Sequence, residues 1–298
     1  MPELTRRRWS WVAVLVLTAG LLLGPARPAS AQPSIWVVHG EHCTVTLFGS
    51  IHVLPKGLDW EPPALVQALS QADELWFEIP VGPQSEAQAS AEALARGFLP
   101  AGQDLSSLLS PEYAGRLAAF ANRHHLSLDR LNRMRPWFAD LLVSSFSYMQ
   151  DGAGQQDGVE AQLTAAAPQA ARRAFETAAQ QVAMVSGAPP DAQIASLDSS
   201  LREADSDPGE YQRMVDAWMK GDGQEIYRHD VLTLRHDAPD LFRILITDRN
   251  AAWTRVLADR LKGSGQVVVV VGAAHLLGPE GVAARLRALG YRVDGPAD

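Results

Sequence analysis

"VVVVVGAAHLLGPEG" (267–281) sets five consecutive valines ahead of a Gly-x-x-His tetrad. β-Branched side chains favour a pleated backbone, and an unbroken apolar run of this length suits a strand buried on both faces. Gly272 then ends the strand and lets the backbone turn sharply. Such a strand has no packing use for an imidazole just past its end, where His275 stands. The same tetrad recurs in "VTLFGSIHVLP" (45–55), where Gly49 and His52 follow a second β-rich run. If the two strands are neighbours, His52 and His275 converge at one sheet edge.

Outward from these two strands the pattern is α/β. "SIWVVHGEHCTVTLFG" (34–49) predicts a hairpin, with strands over 35–38 and 43–48 and a turn at Gly40 and Glu41. "EPPALVQALSQAD" (61–73) predicts a helix with proline in its first turn and a buried stripe of Leu65, Val66, Leu69 and Ala72. "ELWFEIP" (74–80) is a short strand stopped by Pro80. From roughly 84 to 262 the periodicity is helical, broken at Gly and Pro. The chain then returns to strand (266–271), helix (279–289, closed by Gly290) and a last strand, "YRV" (291–293). The expected fold class is mixed α/β. Its central mixed β-sheet is formed from the N- and C-terminal halves, with a large helical insertion. Open sheets of this kind place ligands at the C-terminal ends of their strands.

Composition narrows the function. In residues 1–31, Arg6, Arg7 and Arg8 precede the apolar "WVAVLVLTAGLLLG", and Ala29, Ser30 and Ala31 supply small residues for a peptidase. This is the pattern of a cleavable signal peptide, cut after Ala31, which predicts a periplasmic or secreted protein with no stable membrane anchor. The apolar run is shorter than the roughly 20 residues of a spanning helix. The remaining 32–298 read as one domain. Residues 1–31 hold four Arg and one Glu, so the rest carries 22 basic and 33 acidic side chains, a net charge of −11. An acidic chain without a basic run is a poor nucleic-acid binder. The lone Cys43 allows no internal disulfide, and its alternation with Val45 and Leu47 points it to the core.

Two further residues stand out. Glu78 lies in an apolar strand, where an ionised carboxylate needs a partner. Arg249, four residues before Trp253, falls on the apolar stripe of Trp253, Val256, Leu257 and Leu261. A buried arginine needs a carboxylate or an anionic group, and Glu78 is a candidate partner. Asn250 beside it is placed to bond a substrate or a loop. The other histidines (His39, His42, His124, His125, His229 and His236) sit in turn or polar helical contexts and read as surface residues. The chain has no Gly-x-Ser-x-Gly elbow, and Cys43 has no motif context, which argues against a Ser or Cys nucleophile.

"LFGSIHVLP", "LWFEIP", "RPWFADLL", "FETAAQQ", "AWMKGDG", "TDRNAAW" and "VVVGAAHLLGPEGVAARLRALGYRV", in this order, resemble the TraB/GumN family, which includes the Tiki proteases. The closest likeness is to its exported bacterial GumN-like branch. The resemblance implies a metal-dependent hydrolase acting on a peptide or other acyl substrate. It places His52, Glu78 and His275 on one divalent metal ion (Mn, Co or Zn) with a position open for water. Arg249 would steady the oxyanion. A metal-free version makes His52 the general base, oriented by Glu78. Glu176 matches a recurring family position. Serine at position 50 replaces a more usual threonine and keeps the hydroxyl. The wider superfamily resembles erythromycin esterase and a haem-binding lipoprotein. A periplasmic haem or iron binder, or an accessory factor in polysaccharide export, is therefore the alternative.

Overall fold

The valine run is the middle of a sheet. The computed structural model describes residues 32–297 except 151, 207 and 208, with backbone alone for 147–150. The expected signal peptide and its cleavage after Ala31 lie outside the described residues. Among the described residues no helix is long and apolar enough to cross a membrane.

Among the described residues eight strands follow one another as β1 (Ile35–His39), β2 (His42–Ser50), β3 (Leu54–Pro55), β4 (Glu74–Phe77), β5 (Ala153–Gly154), β6 (Ala171–Ala174), β7 (Ser264–Gly272) and β8 (Arg292–Asp294). Six of them form one mixed sheet in the order β6-β4-β7-β2-β1-β8, and β3 pairs with β5 in a small ladder of its own. β2 and β4 flank β7 in parallel, with Ser50 opposite Gly272 and Phe77 opposite Val270. The two Gly-x-x-His strands are therefore neighbours, as the sequence requires for their histidines to meet.

The five valines serve both faces. Val268 and Val270 join Phe48, Leu75 and Phe77 under the helix Pro63–Gln71, whose Leu65 and Leu69 complete that layer. Val267, Val269 and Val271 join Val45 and Leu47 against Trp253 and Leu257 of the helix Asp248–Arg260 and Val282, Ala283 and Leu286 of the helix Val282–Ala288. With a helical layer on each side, the strand has no solvent face for a polar residue to occupy. Cys43 is buried in the second layer.

Some expectations shift. Val66 and Val256 are exposed and fall off their helix stripes. The last helix begins at Val282, after a turn through Gly278 and Gly281, and not at 279. Between β4 and β7 the chain is mostly helical, but β6 breaks the pattern and adds a parallel strand outside β4. Its "ARRA" carries no apolar alternation and is largely exposed. It pairs because β4 offers an open edge, and an edge strand tolerates arginines. His39 ends β1 and bonds Asp294 across to β8. His124 is half-buried between Phe120 and Phe146, not on the surface.

Phe48 is fully buried and stacks on Trp60 at 5.6 Å, with Trp218 edge-on at 6.0 Å. Trp218 Nε1 donates to Gly49 O at 2.7 Å, so this aromatic cluster also anchors the first tetrad. Phe48→Ala is expected to lower the unfolding free energy by about 3–5 kcal/mol. Urea denaturation measures it, and a loss near zero would contradict this packing.

Candidate functional site

The parallel strands β2, β4, β6 and β7 end on one edge, and each is followed by a polar residue. His52 comes two residues after β2, Glu78 one after β4, Glu176 two after β6 and His275 three after β7. Arg249 reaches this edge from the helix Asp248–Arg260, which enters through a π-helical turn, Arg243–Thr247. Such turns are frequent at functional sites.

Arg249 is the hub. Its Nη2 donates to Glu78 Oε2 at 2.6 Å and to Glu176 Oε2 at 3.0 Å. Its Nε donates to Glu176 Oε1 at 2.9 Å, and its Nη1 to His275 Nε2 at 3.0 Å and Leu245 O at 3.2 Å. The guanidinium also lies over the Trp253 ring, 4.6 Å from its centroid. All five N–H donors are committed, so Arg249 has none spare for an oxyanion. It clamps its neighbours. Glu78 is the partner the sequence suggested, and Glu176 is a second. Removing the guanidinium leaves two carboxylates uncompensated in a buried site. Arg249→Ala is therefore expected to destabilise the fold by about 3–5 kcal/mol, read by thermal or urea unfolding.

His275 is 5% exposed and bonded at both nitrogens. Asn250 Oδ1 accepts from Nδ1 at 2.7 Å, which leaves Nε2 to accept from Arg249. The ring is thereby a neutral Nδ1–H tautomer. Burial chiefly holds its pKa down, at about 4; Glu78 pushes it up, and Arg249 and His52 push it down. Asn250 Nδ2 donates to Glu280 O at 2.8 Å, so Asn250 also ties down the loop after the tetrad. Glu78 is 7% exposed. Its Oε1 accepts from Gly272 N at 2.7 Å, and its Oε2 also accepts from Gln181 Nε2 at 3.2 Å. Burial pushes the Glu78 carboxyl up. His275, Arg249 and His52, with the Gly272 N–H, outweigh it and hold the group well below its ordinary range. Above about pH 4 His275 is neutral, so Arg249 then carries the charge that matters.

His52 differs. Its side chain is crowded by neighbours yet 59% exposed, and it bonds Glu160, not Glu78: Nδ1 to Oε1 is 2.8 Å. The Glu160 charge is the largest influence and raises the His52 pKa, to about 9, against desolvation. Water reaches the ring and screens this pair.

A Cβ placed on Gly272 would stand 3.2 Å from Glu78 Oε1, 3.6 Å from His52 Nε2 and 3.7 Å from His275 Cδ2. The three expected metal ligands thus surround one point, but their lone pairs do not meet there. His275 turns a carbon to it, and both Glu78 oxygens already accept N–H bonds. Among the described residues no three His, Cys, Asp or Glu side chains are arranged to hold a metal ion. The donor set in this arrangement does not fit a divalent metal. One would require Arg249 to release His275 Nε2.

Residues that reading of the sequence alone missed are Glu160, Gln181 and the role of Ser50. Glu176 entered only through the resemblance. A cavity of about 130 Å³, lined by Trp36, Tyr227, Leu276 and Leu277 among others, includes none of the four expected site residues.

The pKa directions fix an acid response. The His275 pKa is lowered from 6.5 to about 4, so the unfolded chain binds the extra proton between those values. The contribution of neutral His275 to stability is lost as pH drops through that window. Glu78 adds stability above its unfolded value of 4.5, and that stability is lost as pH falls below it. Wild type is expected to lose more melting temperature (or gain less) from pH 7 to 4 than His275→Gln does, because Glu203 and Asp230, whose carboxyls burial raises to about 7, push the other way equally in both proteins. Parallel profiles in the two proteins would contradict the buried neutral ring.

The TraB/PrgY/gumN family profile matches residues 34–295. No curated protein and no solved structure matches the chain. The match spans both tetrads, Glu78, Arg249 and every strand of the central sheet. The chain belongs to the TraB/PrgY/gumN family.

Proposed function

We propose that this chain is a hydrolase of a peptide or other acyl bond, working at the strand edge where His52, Glu78, Arg249 and His275 meet. The observation that carries this reading is the convergence itself. Residues from three strand ends surround one point beside Gly272, and of the two histidines there His52 presents a ring nitrogen, Nε2, to it while His275 presents a carbon. Such a nitrogen is a proton-transfer group. His275, neutral and fixed at both nitrogens, and Glu78, locked to Arg249, supply a rigid polar wall beside it. Fixed dipoles of this kind stabilise charge that develops during reaction.

The donor set as bonded does not fit a metal, and the chemistry falls to the side chains themselves. Nor does Arg249 contact the substrate: it holds Glu78 and His275 in register. The exported location expected from the N-terminal segment suits a substrate met outside the cytoplasm.

His52→Ala is expected to lower turnover of an acyl substrate by about 10²–10⁴-fold. Because water screens the His52–Glu160 pair and Ser50 still bonds the carboxylate, melting is expected to fall only modestly and to stay cooperative. Protein purified without chelator is expected to carry metal well below one ion per chain by mass spectrometry, and to keep its turnover in EDTA. Stoichiometric metal, lost in both His52→Ala and His275→Ala, would replace this reading with the metal-dependent one.

A further inference from the structure

Two side chains beside His52, Ser50 and Glu160, bond each other and the imidazole, apart from the cluster around Arg249. Glu160 Oε1 accepts from Ser50 Oγ at 2.5 Å and from His52 Nδ1 at 2.8 Å, so one oxygen serves both. Glu160 lies in the first turn of the helix Val159–Ala166, with its side chain 17% exposed.

Several independent contacts put it there. Ala153 and Gly154 of β5 pair with Pro55 and Leu54 of β3. Val159 N donates to Ile51 O at 3.2 Å. A Cβ on Gly158 would stand 2.0 Å from His52 O, so glycine is what lets the helix start against the backbone of the tetrad. The segment "AGQQDG" (153–158) therefore clasps the stretch that carries His52 and delivers a carboxylate to its ring. Burial pushes the Glu160 carboxyl up, and His52 and Ser50 outweigh it, so the group is held as an anion. An anion kept there without partners would be costly.

We propose that Glu160, held by Ser50 Oγ, is the positioning residue for His52: it fixes Nδ1 as the donor end of the imidazole and presents Nε2 as the end that exchanges a proton with the reacting groups. This deepens the hydrolase reading and rests on it for the reaction, though not for the geometry. The reaction uses the neutral form of His52, whose share grows as pH rises towards about 9, so turnover is expected to rise over that range. Water adds its oxygen to the acyl carbon and gives a proton to Nε2. The bond from that carbon to the leaving oxygen or nitrogen then breaks, and Nε2–H returns the proton to the leaving atom. The products are an acid and an alcohol or amine. His52 Nδ1–H keeps donating to Glu160 Oε1 throughout, and Glu160 takes up no proton. The proposal also gives the hydroxyl at position 50 a purpose, since either serine or threonine supplies one.

The test uses the full chain with ¹⁵N-labelled histidine, the His52 signals being assigned with His52→Gln. Wild type is expected to show a downfield, slowly exchanging His52 Nδ1–H that Glu160→Ala removes. Ser50→Ala is expected to weaken the signal and Ser50→Thr to restore it. With p-nitrophenyl butyrate as the probe, Glu160→Ala is expected to lower kcat about 10²-fold or more with KM within about twofold. An unchanged Nδ1–H signal in a cooperatively melting Glu160→Ala overturns the proposal. So does a rise in KM alone. If Glu160→Ala does not fold, Glu160→Gln takes its place, and a weaker signal with lower kcat is expected. A wild type without turnover removes the hydrolase reading by itself, and the spectra still decide whether Glu160 positions His52.

Discussion

A guanidinium buried beside two carboxylates organises this molecule. Arg249 is 7% exposed and has no water to fall back on, so each N–H must find a protein acceptor. Those acceptors come from β4 through Glu78, from the segment after β6 through Glu176, and from the loop after β7 through His275. The helix that carries Arg249 is thereby pinned to the C-terminal edge of the sheet. Trp253, one turn on, repeats the link, since its Nε1 donates to Glu176 at 3.0 Å and its ring stacks on Phe175 at 4.9 Å. Replacing such a network with apolar groups is often neutral for stability. Its retention in a covered sheet therefore fits a role in placing His275 and Glu78.

The same constraint separates the two histidines. Both follow a Gly-x-x step off neighbouring parallel strands, and by sequence they look equivalent. Their surroundings make them opposites. His275 is sealed under the Arg249–Asn250 pair and held neutral, while His52 stays open to water and faces a carboxylate that favours its charged form. Two titratable groups whose environments push their pKa values apart are a common signature of divided roles.

The short stretches that carried the resemblance gain physical content here. "AWMKGDG" anchors the first tetrad through Trp218. "FETAAQQ" supplies Phe175 to Trp253, Glu176 to Arg249 and Gln181 to Glu78. "TDRNAAW" supplies the arginine, the asparagine that orients His275 and the tryptophan beneath them. The motifs lie far apart along the chain because each strand end contributes one piece to a common edge.

By itself the sequence determined the α/β class, the covered strand of valines, the two tetrads and the two buried charges at Glu78 and Arg249. These were legible because apolar periodicity is local and a charge inside an apolar stretch stands out from its neighbours. The partners of those charges were decided only by tertiary structure. β6 has no apolar alternation and exists because β4 leaves an edge to pair. Glu160 sits in a polar, glycine-rich stretch where a glutamate is unremarkable. It meets His52 only because the turn through Gly158 folds against the tetrad. The expectation that His52, Glu78 and His275 share a metal came from the family resemblance. Which lone pairs remain open was settled by where Arg249 and Asn250 donate and accept, and hydrogen-bond direction is a property of packing that residue order does not encode.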